Sequence, residues 1–146
     1  MKKNIFLVDD DELEIEAMKR ALNSGNLNNK FKLNFFMDGE AVINRLEGID
    51  NSIEETDKNN IPHIMILDLN MPKVDGFEVL DRIRNNHKLK SMVIFILSTS
   101  RNTKEIKRAY SKNVAGYLVK EEMGKRYEKL SELLETYSNT VALPPN

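Results

Sequence analysis

The stretch Ile64-Met65-Ile66-Leu67-Asp68-Leu69-Asn70-Met71-Pro72 decides the reading of this chain. Its first four side chains are apolar with no polar residue between them, the pattern of a strand covered on both faces. An acid follows at once. Met71-Pro72 then stops regular structure, because proline lacks an N–H and fixes φ. A strand buried on both faces belongs to a parallel sheet between two helical layers. One that ends in aspartate delivers a carboxylate to the rim of that sheet.

The same design recurs outward. Ile5-Phe6-Leu7-Val8 runs into Asp9-Asp10-Asp11, residues 92–97 run into Ser98-Thr99-Ser100, and residues 115–119 run into Lys120. Phe31, Leu33 and Phe35 alternate with polar residues and predict a second strand. Helical spacing fills the intervals. Ile15, Met18 and Leu22 share one face behind Asp11, with Glu14 completing a capping box. Val42, Ile43 and Leu46 follow Asp38-Gly39, and Phe77, Leu80 and Ile83 follow the cap Asp75. Ile106, Ala109 and Tyr110 predict a helix over about 102–112, capped by Thr99 or Ser100. Met123, Tyr127, Leu130, Leu134 and Tyr137 predict a last helix over 122–137. Residues 48–61 are polar and patternless, as in an exposed loop.

Strand and helix therefore alternate five times. Strands joined by helix-length crossovers run parallel, with helices on both faces. The expected fold is a doubly wound α/β sandwich, (βα)5, around a five-stranded parallel sheet. In such folds ligands sit beyond the carboxyl ends of the strands, where the strand order reverses.

Composition narrows the function. The 146 residues suit one domain, 40% apolar and 31% charged. The net charge of −1 gives no case for nucleic acid or a membrane surface. There is no cysteine, which excludes disulfides and thiolate metal sites and fits a cytoplasmic protein. The four apolar residues after Asn4 are too few for a signal peptide or a span.

The residues just past the strands are Asp9, Asp10, Asp11, Asp68, Asn70, Ser98 and Lys120. Aspartates ending neighbouring parallel strands repel and raise each other's pKa. A hard cation such as Mg²⁺, which takes oxygen ligands, relieves that repulsion. With a hydroxyl and an ammonium on the same rim, the set suits phosphoryl transfer, where positioning and charge neutralisation do most of the work.

In order and spacing, LVDDDE (7–12), ILDLNMPKVDG (66–76), ILSTS (96–100) and GYLVK (116–120) resemble the CheY-like response regulator receiver family of two-component systems. The resemblance spans roughly residues 3–137 and implies a flavodoxin-like fold, with 1–137 as receiver domain and 138–146 as tail. The tail ETYSNTVALP (135–144) resembles that of stand-alone regulators paired with phytochromes. The resemblance makes Asp68 the phosphoacceptor. It makes Asp10 a direct Mg²⁺ ligand, Asp9 a ligand mainly through water, and Asn70 a ligand through its backbone carbonyl. Ser98 stands where the family has the hydroxyl that turns toward the phosphoryl group, Lys120 where it has the phosphoryl-binding lysine, and Tyr117 where it has the switch aromatic. Partners implied are a sensor histidine kinase or phosphotransfer protein, a downstream protein, and a second copy docking through residues 102–137. No DNA-binding or catalytic output domain fits in residues 138–146, so the expected output is protein binding or phosphorelay, without nucleic acid or membrane.

One position departs. The family's lysine is usually followed by a cis proline; here Glu121 follows Lys120. A cis bond before a non-proline residue costs about 2.5–4 kcal/mol, so the expectation is a trans bond or a rebuilt loop. Plainer readings exist: Asp9-Asp10-Asp11 as a solvated helix start, Lys120 as a surface lysine, Tyr117 as a core aromatic. His63 and His87 lack a partner at ligand spacing. Two rival functions remain. One is a Mg²⁺-dependent phosphohydrolase using Asp68 as nucleophile, as in haloacid-dehalogenase-type phosphatases, although Asn70 stands where those carry their general acid. The other is an unphosphorylated scaffold.

Overall fold

The computed structural model describes residues 3–50 and 62–145. Its strands are β1 (Lys3–Val8), β2 (Phe31–Phe36), β3 (Pro62–Asp68), β4 (Val93–Ser98) and β5 (Gly116–Val119). All pair in parallel, in the order β2-β1-β3-β4-β5. The helices are α1 (Glu12–Asn23), α2 (Leu27–Lys30), α3 (Gly39–Asp50), α4 (Gly76–Arg84), α5 (Thr103–Ser111) and α6 (Glu128–Thr140). This is the doubly wound sandwich that the alternation of strand and helix demands.

The period of two along each strand splits the core in half. Phe6, Val8, Met65, Leu67, Ile94 and Ile96 point to one face, under Val42, Ile43 and Leu46 of α3, Val79, Leu80 and Ile83 of α4, and Ala109 of α5. Ile5, Leu7, Ile64, Ile66, Phe95 and Leu97 point to the other, under Ile15, Met18 and Leu22 of α1 and Leu130 and Leu134 of α6. After β1 the chain moves to β2 on one side, then returns to β3 on the other. The switch point is thus between β1 and β3. Val8 pairs with Leu67 there, so the next residues, Asp9 and Asp68, leave the sheet side by side.

Several local expectations change. The capping box does not form: the Asp11 carboxylate accepts from Leu13 N–H, while Glu14 turns to Lys120. Thr99 and Ser100 do not cap α5. Asn102 does, accepting from Lys104 and Glu105 N–H, and Ser100 Oγ accepts from Asn102 N–H one step earlier. Tyr110 is not core; it is half exposed, and its phenol oxygen accepts from the Tyr117 N–H on the sheet's edge strand. Residues 48–50 continue α3, where the patternless stretch predicted loop, and 51–61 lie outside the described residues. The short α2 carried no apolar period to announce it.

The last helix is the largest revision. Met123 and Tyr127 are buried as predicted, but neither is in it. Residues Lys120–Met123 form a 3-10 turn, Gly124 takes φ 86° and Tyr127 φ 56°, and the α-helix starts only at Glu128. A glycine reaches positive φ without strain, so Gly124 ends the turn and resets the chain's direction before α6. No cis peptide bond occurs among the described residues. The Lys120–Glu121 link is trans, and the rebuilt loop is that 3-10 turn.

Candidate functional site

Strand register assembles the site. Asp9 and Asp68 emerge adjacent at the switch point, Asp68 pairs with Leu97, and Ser98 pairs with Val119, the residue before Lys120. Four neighbouring strand ends thus present acid, acid, hydroxyl and ammonium in a row. The loop after β3 is held back by a glycine. Gly76 N–H donates to the Leu69 carbonyl, and a Cβ at position 76 would lie 2.3 Å from the Asp68 carbonyl oxygen.

One carboxylate oxygen each from Asp9, Asp10 and Asp68 lies within 4.8 Å of the others. Asp9 and Asp68 are buried; Asp10 faces solvent. Asp9 Oδ1 accepts from Asp11 N–H at 2.9 Å, and Asp68 Oδ1 from Asn70 N–H at 3.3 Å. The Lys120 ammonium is 2.9 Å from Asp9 Oδ2 and 3.8 Å from Asp68 Oδ2, and it also pairs with Glu14. Glu14 was missed in the sequence, where its spacing from Asp11 suggested a cap. The available signal was position: the first turn of α1 overhangs the rim to which β1 leads.

Burial dominates the electrostatics. It raises the Asp68 carboxyl to about 7, helped by the charges of Asp9 and Asp10 and opposed by Lys120. It raises Asp9 to about 6, opposed by the Asp11 N–H and Lys120. Burial works against the charge on Lys120, but Glu14 and Asp9 outweigh it and hold the lysine above its usual value.

The site suits a hard divalent cation. Its converging donors are all oxygens, and too many for one ammonium to neutralise. Buried Asp9 Oδ2 has Lys120 as charge partner yet no well-formed hydrogen bond. Ser98 is fully buried, and its Oγ accepts from Ser100 N–H at 3.1 Å. Tyr117 is half buried against the α4/α5 side of the core, and its hydroxyl donates to the Ser100 carbonyl. Ser98 and Tyr117 therefore meet at one residue, Ser100. His63 lies near the start of β3, at the opposite end of the strand from Asp68. No helix among the described residues is long and apolar enough to cross a membrane.

Residues 5–130 match the model of the response regulator receiver domain. The chain is 31% identical to the response regulator Rcp1 of Synechocystis over 143 residues, covering 97% of this chain and 93% of Rcp1. It is 30% identical over 132 residues to the probable methanogenesis regulatory protein FilR2 of Methanothrix harundinacea, covering 88% of this chain and 81% of that one. The Mn²⁺-bound structure of Rcp1 superposes with a TM-score of 0.82 at 30% identity, over 98% of this chain and 99% of that one. The phosphorylated cyanobacterial phytochrome response regulator RcpA superposes with a TM-score of 0.83 at 29% identity, over 99% of this chain and all of that one.

Proposed function

This chain belongs to the response regulator receiver family, and on that premise we propose that it is a phosphorylation-gated interaction module whose phosphoacceptor is Asp68. Receiver domains are signalling modules rather than typical enzymes, and a relative of this one has been captured phosphorylated. The donor is a phosphohistidine on a sensor kinase or phosphotransfer protein. A carboxylate oxygen of Asp68 attacks phosphorus in line, the P–N bond breaks, and its electron pair leaves on the imidazole nitrogen. The product is an acyl phosphate.

The chain's residues supply orientation and charge. Asp9, Asp10, Asp68 and the Asn70 backbone carbonyl would hold Mg²⁺, which when bound neutralises the phosphoryl oxygens. Lys120, already within 4 Å of Asp68, contributes a second positive charge. Ser98 donates its hydroxyl to the phosphoryl group, giving up the Ser100 N–H. Tyr117 follows through the same residue, and the surface from α5 to α6, residues 102–137, changes partners, a second copy of the chain among them. Such a change needs only that the phosphoryl group stabilise one of two arrangements more than the other. The likeness to RcpA, a cyanobacterial phytochrome response regulator, makes a phytochrome-type kinase the first donor to try.

The convergence of Asp9, Asp10 and Asp68 carries this reading. Incubation with acetyl phosphate and Mg²⁺ should add one phosphoryl group, removed by Asp68→Asn and by chelation. Labelling that survives Asp68→Asn overturns the assignment. A phosphohydrolase reading finds no support at position 70, where the asparagine presents its backbone N–H to Asp68 and has no acid to offer a leaving group.

A further inference from the structure

Lys120 is reached by an acid that does not belong to the strand-end set. Glu14 comes from the first turn of α1, across the crevice, and contacts the Lys120 ammonium directly. The lysine is 10% exposed and Glu14 24%, so the pair is shielded from most of the solvent that weakens surface ion pairs. Tyr127 is buried, and its left-handed backbone immediately precedes α6. Burial, and next the charge of Glu14, hold the Tyr127 phenol above its ordinary value, as expected if the two side chains face each other.

The geometry around the ammonium is unequal. It lies at hydrogen-bond distance from Asp9 and against Glu14, but 3.8 Å from Asp68. No proline follows Lys120 in the 3-10 turn, and its side chain is long. The restraint comes from the carboxylates.

We propose that Glu14 is a positioning residue for Lys120: it draws the ammonium toward α1, away from Asp68, and competes with the phosphoryl group on Asp68 for the same charge. The inference rests on Asp68 being the phosphoacceptor. Activation then includes the transfer of Lys120 from Glu14 to a phosphoryl oxygen. Glu14 lowers the stability of the phosphorylated arrangement without touching the reacting atoms.

Fluoroberyllate, a phosphoryl mimic, reads this competition as an equilibrium. At saturating Mg²⁺, Glu14→Gln should bind it about threefold to tenfold tighter than the parent, the scale of one lost charged hydrogen bond in a partly exposed pair. In a Lys120→Met background the same change should have no effect. In metal-free protein, Glu14→Gln should shift the Lys120 side-chain NMR resonances and leave the thermal transition within a few degrees. Equal or weaker binding by Glu14→Gln overturns the proposal, as does tightening that persists without Lys120, which would be a general charge effect. Glu14→Ala repeats the test if the glutamine variant proves unstable. A parent that binds no fluoroberyllate removes the phosphoacceptor reading itself, a failure distinct from a parent that binds and a variant that behaves identically.

Discussion

The hydroxyl of Tyr117 donates a 2.9 Å hydrogen bond to the backbone carbonyl of Ser100, tying β5 to the loop that leaves β4. The N–H of Ser100 is meanwhile held by Ser98 Oγ. A rotation of Ser98 must release one side of this residue and alter the other. Tyr117→Phe should cost about 0.5–1.5 kcal/mol in urea denaturation. Its effect should be non-additive with Ser98→Ala by about 0.5 kcal/mol or more, since both act through one residue. Strict additivity would mean the two side chains are not coupled.

Asp68 makes stability depend on pH. Its carboxyl titrates near 7 in the folded chain against 3.8 for the free group, mainly through burial. The folded state therefore holds the proton more tightly, so stability falls as pH rises from about 4 to about 7. Asp9, raised to about 6, adds to the same trend. Metal-free Asp68→Asn should be more stable than the parent by on the order of 2 kcal/mol at pH 7.5. The two should converge near pH 4. Denaturation curves at several pH values check this, and an asparagine variant less stable at pH 7.5 contradicts it.

Asp10 is exposed and makes little of the core, so its loss should spare the fold and weaken the cation site. Asp10→Asn should lower Mg²⁺ affinity by about tenfold or more in calorimetric titration, with the thermal midpoint of the metal-free protein little changed. Adding Mg²⁺ to the parent should raise its midpoint, because only the folded state brings the three carboxylates together.

Arg84 offers a test of the scaffold. Its guanidinium donates to the carbonyls of Lys112, Lys90, Met92 and Asn113 at 2.7–2.9 Å, joining α4 to the entries of β4 and β5. Burial lowers its pKa, and the partners named are all neutral carbonyls. Arg84→Met keeps most of the stem but strands those acceptors. It should cost about 2–4 kcal/mol, seen in urea denaturation. A cost below 1 kcal/mol would show that water replaces the guanidinium freely.

What the sequence disclosed and what it hid follow one physical divide. Buried parallel strands such as Ile64–Leu67 are legible because burial on both faces writes an unbroken apolar run, and parallel pairing then puts Asp9 and Asp68 at a common rim. Asp75 was legible as a cap because its partner, the Glu78 N–H, is three residues away. Glu14 was not, because its role depends on Lys120, far off in the chain and adjacent only after five strands have stacked. The start of α6 was misplaced for a related reason. Met123 and Tyr127 do face the core, so their spacing continued the helical period, while Gly124 between them carried the contrary signal. Asn102 rather than Ser100 caps α5 because the cap must sit directly ahead of the first turn.

Gly76 sets a practical limit on altering this molecule. The backbone bearing Asp68 runs so close to the start of α4 that even a methyl group would meet the Asp68 carbonyl and the Leu69 Cα, 2.3 and 2.6 Å away. Combinatorial libraries aimed at the loop between β3 and α4 should leave position 76 invariant. Diversity there is spent on chains whose Asp68 has been moved before any recognition has been gained.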